Sequence, residues 1–236
     1  MRRVMGLGLG VMMLAACASH HEEAKLDDSG LARLNEDQMQ PVDNARMELG
    51  RAQDAVSKAR ANEADARARV EVARSERDVS AAQLKRAVAQ RDLLKKQYAD
   101  RDAMAQADQD VAAAQDGIRA SDLKLAYLNQ NVNLAAAERA AAEAHVQTQA
   151  AIVEQTKYRA MQAGGAPQIA SINPGELDQR VAQAQSHEAE VKREAAQRRT
   201  QAMALYDRWQ QTDARSRALA SPQDVPPPPP TASPQQ

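Results

Sequence analysis

The residue with the clearest potential for chemistry is Cys17, the only cysteine among the 236 residues of the chain. It directly follows Leu14-Ala15-Ala16, so small side chains precede the thiol. Upstream lie Arg2-Arg3 and an apolar stretch that runs from Val4 to Ala16. Positive residues, an apolar stretch and small residues before a cut form the pattern of a secretory leader. The thiol therefore lies where an enzyme that processes leaders would act.

The apolar stretch predicts a cleaved leader and not a membrane-spanning helix. It covers only part of the roughly 20 residues that such a helix needs. Gly6, Gly8 and Gly10 also weaken a stable helix there. We therefore predict that residues 1–16 are a signal peptide and that the chain is cut between Ala16 and Cys17.

The run Leu14-Ala15-Ala16-Cys17 resembles the lipobox of bacterial lipoproteins at all four positions. The resemblance covers only the first 17 residues. It implies that the sulfur of Cys17 receives a diacylglycerol, that the leader is removed, and that the new amino group is acylated, for example with palmitate. This covalent lipid on Cys17 would anchor the protein to a membrane, and we expect no other cofactor. An ordinary leader with an incidental cysteine is the alternative.

The residues after Cys17 bear on the membrane that would hold the anchor. In well-studied Gram-negative bacteria, an aspartate after the lipidated cysteine retains a lipoprotein in the inner membrane. Here Ala18-Ser19 follow, so the resemblance implies the periplasmic face of the outer membrane. Anchoring in the inner membrane or on a Gram-positive surface is the alternative.

The composition predicts an all-α protein built from long coiled-coil helices. Phenylalanine is absent, aromatic residues make up 2% of the chain, and much of the 43% hydrophobic content is alanine. Large aromatic side chains dominate most globular cores, whereas chains rich in Ala, Glu, Lys and Arg form long helices. The formal net charge is −1 with both signs interspersed, which provides no basic surface for nucleic acid. A single cysteine also excludes a disulfide within the chain.

Apolar residues and alanines recur at alternating steps of three and four, which is a heptad pattern. One stripe runs from Leu49 to Tyr98, a second from Met104 to Val153, and a third from Leu177 to Trp209. Alanine at one of the two heptad positions favours close, often antiparallel, packing. Charged residues such as Glu63 weaken the first stripe or meet partners across it. The side chains that we predict to line a seam or to contact a partner are Leu84, Leu94, Leu125, Leu128, Leu205 and Trp209.

The chain either reverses between residues 98 and 133 or continues as one helix. Tyr98 and Met104 hold the same heptad position but stand six residues apart, so the pattern slips by one residue there. Asp100 could cap a new helix at this point. No glycine or proline marks a turn, however, and Asn129 to Asn131 is another weak point. The sequence leaves an antiparallel hairpin, an elongated three-helix arrangement and one continuous helix open.

Two further breaks are clear. Pro41 suits the first turn of a long helix, and Gly164-Gly165-Ala166-Pro167 ends that helix. Asn173 suits the cap of the next helix, with Pro174 in its first turn and Glu176 reaching back to the cap amide. The predicted organisation is a signal peptide at 1–16, a tether at 17–40, a helical region at 41–163, a loop at 164–175, a C-terminal helix at 176–221 and a disordered proline-rich tail at 222–236.

The few aromatic residues have two interpretations. Seam packing is the prediction for Tyr127, Tyr158, Tyr206 and Trp209. An anchor for a partner, formed by Tyr206 and Trp209 one turn apart, is the alternative. Pro226 to Pro230 form a polyproline segment, which we interpret as a spacer, with a ligand for a groove on a partner as the alternative.

No constellation of residues predicts catalysis or metal binding. His20-His21 lie in the predicted tether, and His145 and His187 lie on separate helices without a neighbouring set of ligands. Catalytic motifs such as HExxH, a phosphate-binding glycine loop or a nucleophile elbow are absent from the sequence. We therefore expect no enzyme, no metal site and no small-molecule substrate.

These observations predict a lipid-anchored structural or adaptor protein of the bacterial envelope. It would engage an envelope protein, or a second copy of itself, through its coiled coil. A holdase-type periplasmic chaperone for outer-membrane proteins is one alternative, and an accessory coiled-coil adaptor of a secretion or efflux system is another. A phage spanin is a further alternative, although no second apolar segment closes this chain.

Overall fold

The fold is described by a computed structural model, which covers Leu26 and residues 28–220. The predicted all-α fold is confirmed, and the described residues contain no strand. The signal peptide, Cys17, the tether up to residue 25 and the tail at 222–236 lie outside the described residues. The helices are α1 (Glu36–Lys96), α2 (Arg101–Ala163) and α3 (Pro174–Ala220), with short 3-10 helices at Asp28–Arg33 and Pro167–Ser171.

Helix α1 begins at Glu36, earlier than the predicted start at Pro41. Asn35 caps it, because the Asn35 side chain accepts from the Gln38 amide at 2.9 Å and the Gln38 side chain accepts from the Asn35 amide at 3.1 Å. Pro41 therefore lies in the second turn, where its missing N–H removes one helical hydrogen bond. The prediction of a tether extending to residue 40 is wrong for this reason. The capping box and the burial of Val42 stabilise the additional turn.

The chain reverses between α1 and α2 at residues 97–100. The amide of Tyr98 donates to the carbonyl of Lys95, and the amide of Ala99 donates to the carbonyl of Leu94. This is a Schellman motif, in which the residue at the position of Tyr98 adopts a left-handed backbone. Tyr98 has φ 52° and its side chain is 94% exposed. Asp100 caps α2, as its side chain accepts from the Ala103 amide at 2.8 Å.

Replacing Tyr98 with glycine is expected to raise the free energy of unfolding by about 1 kcal/mol, because a left-handed backbone is costly for any residue with a Cβ. Urea denaturation followed by circular dichroism measures this. Tyr98→Ala, which keeps the Cβ and removes the ring, is the matched control and is expected to change stability little. A glycine variant less stable than the alanine variant would contradict the turn geometry.

A second Schellman motif ends α2. Gly165 has φ 68° and donates to the carbonyl of Gln162, while Ala166 donates to the carbonyl of Met161. Here the left-handed position holds the usual glycine. Helix α3 then begins at Pro174, but the predicted contact of Glu176 with the cap amide is wrong. Glu176 instead accepts from the side-chain amide of Asn173 at 3.4 Å, and Asn173 accepts from the Gly175 amide at 3.0 Å.

Helices α1 and α2 pack antiparallel along their length. Ser80 and Ser121, whose hydroxyls are 2.8 Å apart, are separated by 41 residues in sequence. The separation is 76 residues for Glu63 and Arg139 and 83 for Arg60 and Glu143. Because the separation grows steadily away from the turn, the two helices form a hairpin.

Helix α3 packs antiparallel on α2 in the same way. The separation is 23 residues for Gln155 and Asp178 and 110 for Gln109 and Leu219. Helices α1 and α3 have almost no contact with each other in the described part of the chain. They lie on different faces of α2, so the protein is a three-helix layer with α2 in the centre.

The layer has two distinct ends, which we call the proximal and the distal end. At the proximal end, a cluster of Leu31, Val42, Ala160, Met161 and Ala166 packs the start of α1 against the end of α2. The distal end holds the turn at residues 97–100 and the last turn of α3. The 61 residues of α1 span about 90 Å at roughly 1.5 Å per residue. Within residues 28–220, none of the helices has an apolar stretch sufficient to cross a bilayer.

Candidate functional site

The residues predicted to line a seam are all buried or partly buried. Leu84 and Leu94 are partly buried on α1 in the distal half of the hairpin. Leu128 is buried in one cluster with Val70 and Ala73, and Leu125 packs against this cluster. Leu205 and Trp209 are partly buried on α3. Leu125 and Leu128 therefore serve contacts within the chain.

Sequence analysis missed the second seam of α2, which receives α3. It contains the buried Asp116, Ala120, Ala137, Ala144 and Thr148. Most of these residues are small or polar, so they do not stand out as an apolar stripe. The run from Leu134 to Ala144 was the available signal for this second seam. Alanines occur there on every side of the helix, so that other helices can approach closely on two faces.

A charged network lies inside the α1–α2 seam. Glu63 is buried on α1 and accepts from the Nε of Arg139 at 2.7 Å. Arg139 also donates to Glu143 at 2.9 Å, and Glu143 accepts from Arg60 of α1 at 3.2 Å. Glu63 and Arg139 thus meet partners across the seam, and this network fixes the register of the two helices.

The network changes the acidity of its carboxylates. The hydrogen bond from Arg139 is the largest effect that lowers the pKa of Glu63. Burial raises the pKa of Glu143, but hydrogen bonds from Arg139 and Arg60 lower it by more. In the α2–α3 seam, burial raises the pKa of Glu188, but hydrogen bonds from Lys192 and Thr148 produce a net decrease.

These lowered pKa values predict that acid destabilises the fold. A carboxylate whose pKa is lower in the folded than in the unfolded state stabilises the fold at pH above the unfolded value, about 4.3 for glutamate. This stabilisation is lost as the pH falls through the folded value. We expect the Tm to be constant near neutral pH and to fall below about pH 4.

Substitution Glu63→Gln is expected to lower the Tm at pH 7. It is also expected to reduce the decrease in Tm between pH 7 and pH 3. Differential scanning calorimetry between pH 3 and 7 measures both changes. Asp54→Asn, at an exposed position of the same helix, is the matched control. Equal acid dependence in the two variants would show that Glu63 does not contribute to it.

The described histidines lie on different helices and have different surroundings. His145 contacts Glu188 across the α2–α3 seam, with the two atoms 3.0 Å apart. His187 lines a groove described below, and His20-His21 lie outside the described residues. Within the described part of the chain, groups of three or more potential ligands do not occur.

A groove of about 790 Å³ crosses all three helices near the proximal end. Val146, Ala150 and Val153 of α2 form its floor, with Leu49 of α1 and Leu177 of α3 on opposite sides. This proximal groove exists because α1 and α3 leave one face of α2 open between them. Its size and apolar floor suit an extended apolar segment of a ligand.

Charged residues close one end of the proximal groove. Lys157 of α2 contacts Asp28 at 2.7 Å and Glu154 at 3.0 Å, and Arg46 of α1 contacts Asp28 at 2.9 Å. Burial lowers the pKa of Lys157, but hydrogen bonds to Asp28 and Glu154 raise it by more. Glu154 also accepts from the backbone amide of Leu26 at 2.8 Å. The network therefore fixes the point at which the N-terminal part of the chain enters the layer.

Three aromatic side chains form one cluster on α2 and α3. The ring centroids of Tyr127 and Tyr206 are 5.2 Å apart, and those of Tyr127 and Trp209 are 5.9 Å apart with nearly parallel planes. Tyr206 and Trp209 meet edge to face at 5.5 Å. The ammonium of Lys124 lies 5.8 Å from the Trp209 ring, a cation–π distance. All three rings remain partly exposed.

Buried acidic side chains lie in both seams of α2. The buried acidic groups Glu63, Asp116 and Glu188 are each neutralised by basic neighbours on their own or the facing helix.

Comparison of the chain with protein-family models, with curated proteins and with solved structures found no significant match.

Proposed function

We propose that this protein is a lipid-anchored structural or adaptor protein of the bacterial cell envelope. It holds its distal end away from a membrane surface and acts through contacts with other proteins, not through catalysis. The observation that supports this is the separation of its two ends. Leu26, where the chain arrives from Cys17, is tied to Glu154 near the proximal end, whereas the turn at residues 97–100 lies about 80 Å away along α2.

The length of the connecting segment limits the position of the layer. Residues 18–25 span at most about 30 Å when fully extended. A lipid on Cys17 would therefore keep the proximal end close to the bilayer, and the distal end could reach much further into the periplasm. The lipobox resemblance, with Ala18 after the cysteine, supports the periplasmic face of the outer membrane as the location.

A partner would bind outside the seams, since α1 and α3 already occupy both seams of α2. Val72, Val79 and Leu93 of α1 are exposed and share one heptad position. Photocrosslinking amino acids at Val79 and Leu93 in cells are expected to capture one defined envelope protein or a second copy of the chain. Val70, 4% exposed where Val79 is 58% exposed, is the matched control. The absence of any specific product from the exposed positions would contradict the adaptor function.

A holdase-type chaperone is the second candidate, and the proximal groove is the observation that favours it. The apolar floor of Val146, Ala150 and Val153 could hold an extended client segment. A crosslinker at Gln147, on the rim of this groove, distinguishes the two functions. Many unfolded outer-membrane proteins captured there would support the holdase, and one product from α1 without groove products would support the adaptor.

A further inference from the structure

The aromatic cluster has hydrogen-bond donors that are free to bind a further group. In the described part of the chain, the hydroxyls of Tyr127 and Tyr206 and the indole N–H of Trp209 have ring neighbours but no hydrogen-bond partner. Buried tyrosine and tryptophan usually find such partners, but these rings are partly exposed. The cluster therefore presents three rings and three donors at one surface point.

This combination suits a polyproline helix. Such a helix has no internal hydrogen bonds, so its carbonyl groups are free to accept. Aromatic-lined grooves bind it by packing the proline rings against aromatic faces. Alternate prolines of the helix lie about 6 Å apart at roughly 3.1 Å per residue, which matches the ring spacings of 5.2 to 5.9 Å in the cluster.

The chain carries its own polyproline segment within reach. Helix α3 is described to Ala220, and its last turn is held on α2, since Gln109 donates to the carbonyl of Leu219 at 3.3 Å. Trp209 lies eleven residues before Ala220, about 16 Å back along the helix. Residues 221–225 span about 17 Å when extended, so Pro226 can reach the ring of Trp209.

We propose that Pro226 to Pro230 dock on the cluster of Tyr127, Tyr206 and Trp209 of the same chain. The docked tail clamps α3 onto α2 and holds residues 231–236 at a defined place on the layer.

The single tryptophan of the chain reports docking directly. We expect replacement of Pro226–Pro230 by a Gly-Ser segment to raise the acrylamide quenching constant of Trp209 fluorescence about twofold, since the ring becomes more exposed. Removal of residues 221–236 is expected to have the same effect. The full-length protein in detergent is the reference, and far-UV circular dichroism checks that the helices stay intact.

A second measurement separates docking from a change in the fold. A synthetic peptide of residues 221–236, added to the truncated protein at millimolar concentration, is expected to restore the low quenching, whereas a peptide with alanine at the five prolines is not. Quenching that is unchanged in both tail variants would overturn the proposal. Protection of Trp209 that disappears on dilution would also overturn it, because the tail of a second copy would then be the ligand.

Discussion

Substitution Cys17→Ser is expected to move the protein from the membrane fraction to the soluble fraction and to abolish labelling with a radioactive or clickable fatty acid. This follows from the proposed function, because a serine cannot receive the thioether-linked diacylglycerol. Each buried methylene contributes about 0.8 kcal/mol, so two or three acyl chains hold a protein firmly on a bilayer. Within the described residues, no helix is able to span a bilayer in their place.

Fractionation and acyl labelling of cells that express each variant measure the effect. Ser19→Ala, two residues away, leaves Leu14-Ala15-Ala16-Cys17 intact and is the matched control. It is expected to remain acylated and membrane-bound. Equal acyl labelling of the Cys17→Ser variant and the natural sequence would refute the lipid anchor.

Replacing Met161 with alanine is expected to lower the free energy of unfolding by about 3 kcal/mol. Met161 is fully buried in the proximal cluster, where it packs with Leu31, Val42 and Ala166. Removal of its side chain leaves a cavity at the point where the start of α1, the end of α2 and the following loop meet. Much of the rest of the interface consists of alanine, so few other side chains can fill that space.

Urea denaturation measured by circular dichroism gives this value. Met203→Ala is the matched control, because Met203 is 55% exposed on α3 and its loss is expected to change stability by less than about 0.5 kcal/mol. Similar losses in the two variants would contradict the packing of Met161 in the proximal cluster.

Much of the fold could be predicted from the sequence because each long helix repeats a heptad pattern. From Leu49 to Leu94, the residues of the first predicted stripe are all buried or partly buried. The charge at Glu63 does not interrupt this pattern, since Arg139 neutralises it from the facing helix. Local periodicity therefore identifies the inward face of a helix even when that face is largely alanine.

The sequence predicts the inward faces of the helices better than it predicts the position of the turn between α1 and α2. A Schellman motif usually has glycine at its left-handed position, as α2 does at Gly165. At the end of α1 that position holds Tyr98, a residue that rarely adopts this backbone. The only visible signals were the slip in the heptad pattern and the capping residue Asp100, and the structure shows that both mark the turn.

The candidate surfaces depend on contacts between residues distant in sequence. The proximal groove requires that α1 and α3 pack on different faces of α2, and the small residues of the second seam do not reveal this. The start of α1 was predicted too late because Pro41 has a strong preference for first turns, whereas the capping box of Asn35 and Gln38 acts earlier in the chain. The cluster around Trp209 likewise needs the register of α3 on α2.

The antiparallel hairpin, on which the separation of the two ends depends, can be tested by a disulfide. In a Cys17→Ser background, the pair Ser80→Cys and Ser121→Cys replaces two hydroxyls that are 2.8 Å apart. The control pair is Ser80→Cys and Ala135→Cys, in which the second cysteine lies two heptads further along α2, roughly 20 Å away. We predict that mild oxidation gives an intramolecular disulfide, seen as a faster-migrating monomer, for the first pair only. A disulfide-linked dimer would contradict the hairpin, because one continuous helix paired with a second copy would give that product, and the absence of any disulfide would contradict the register.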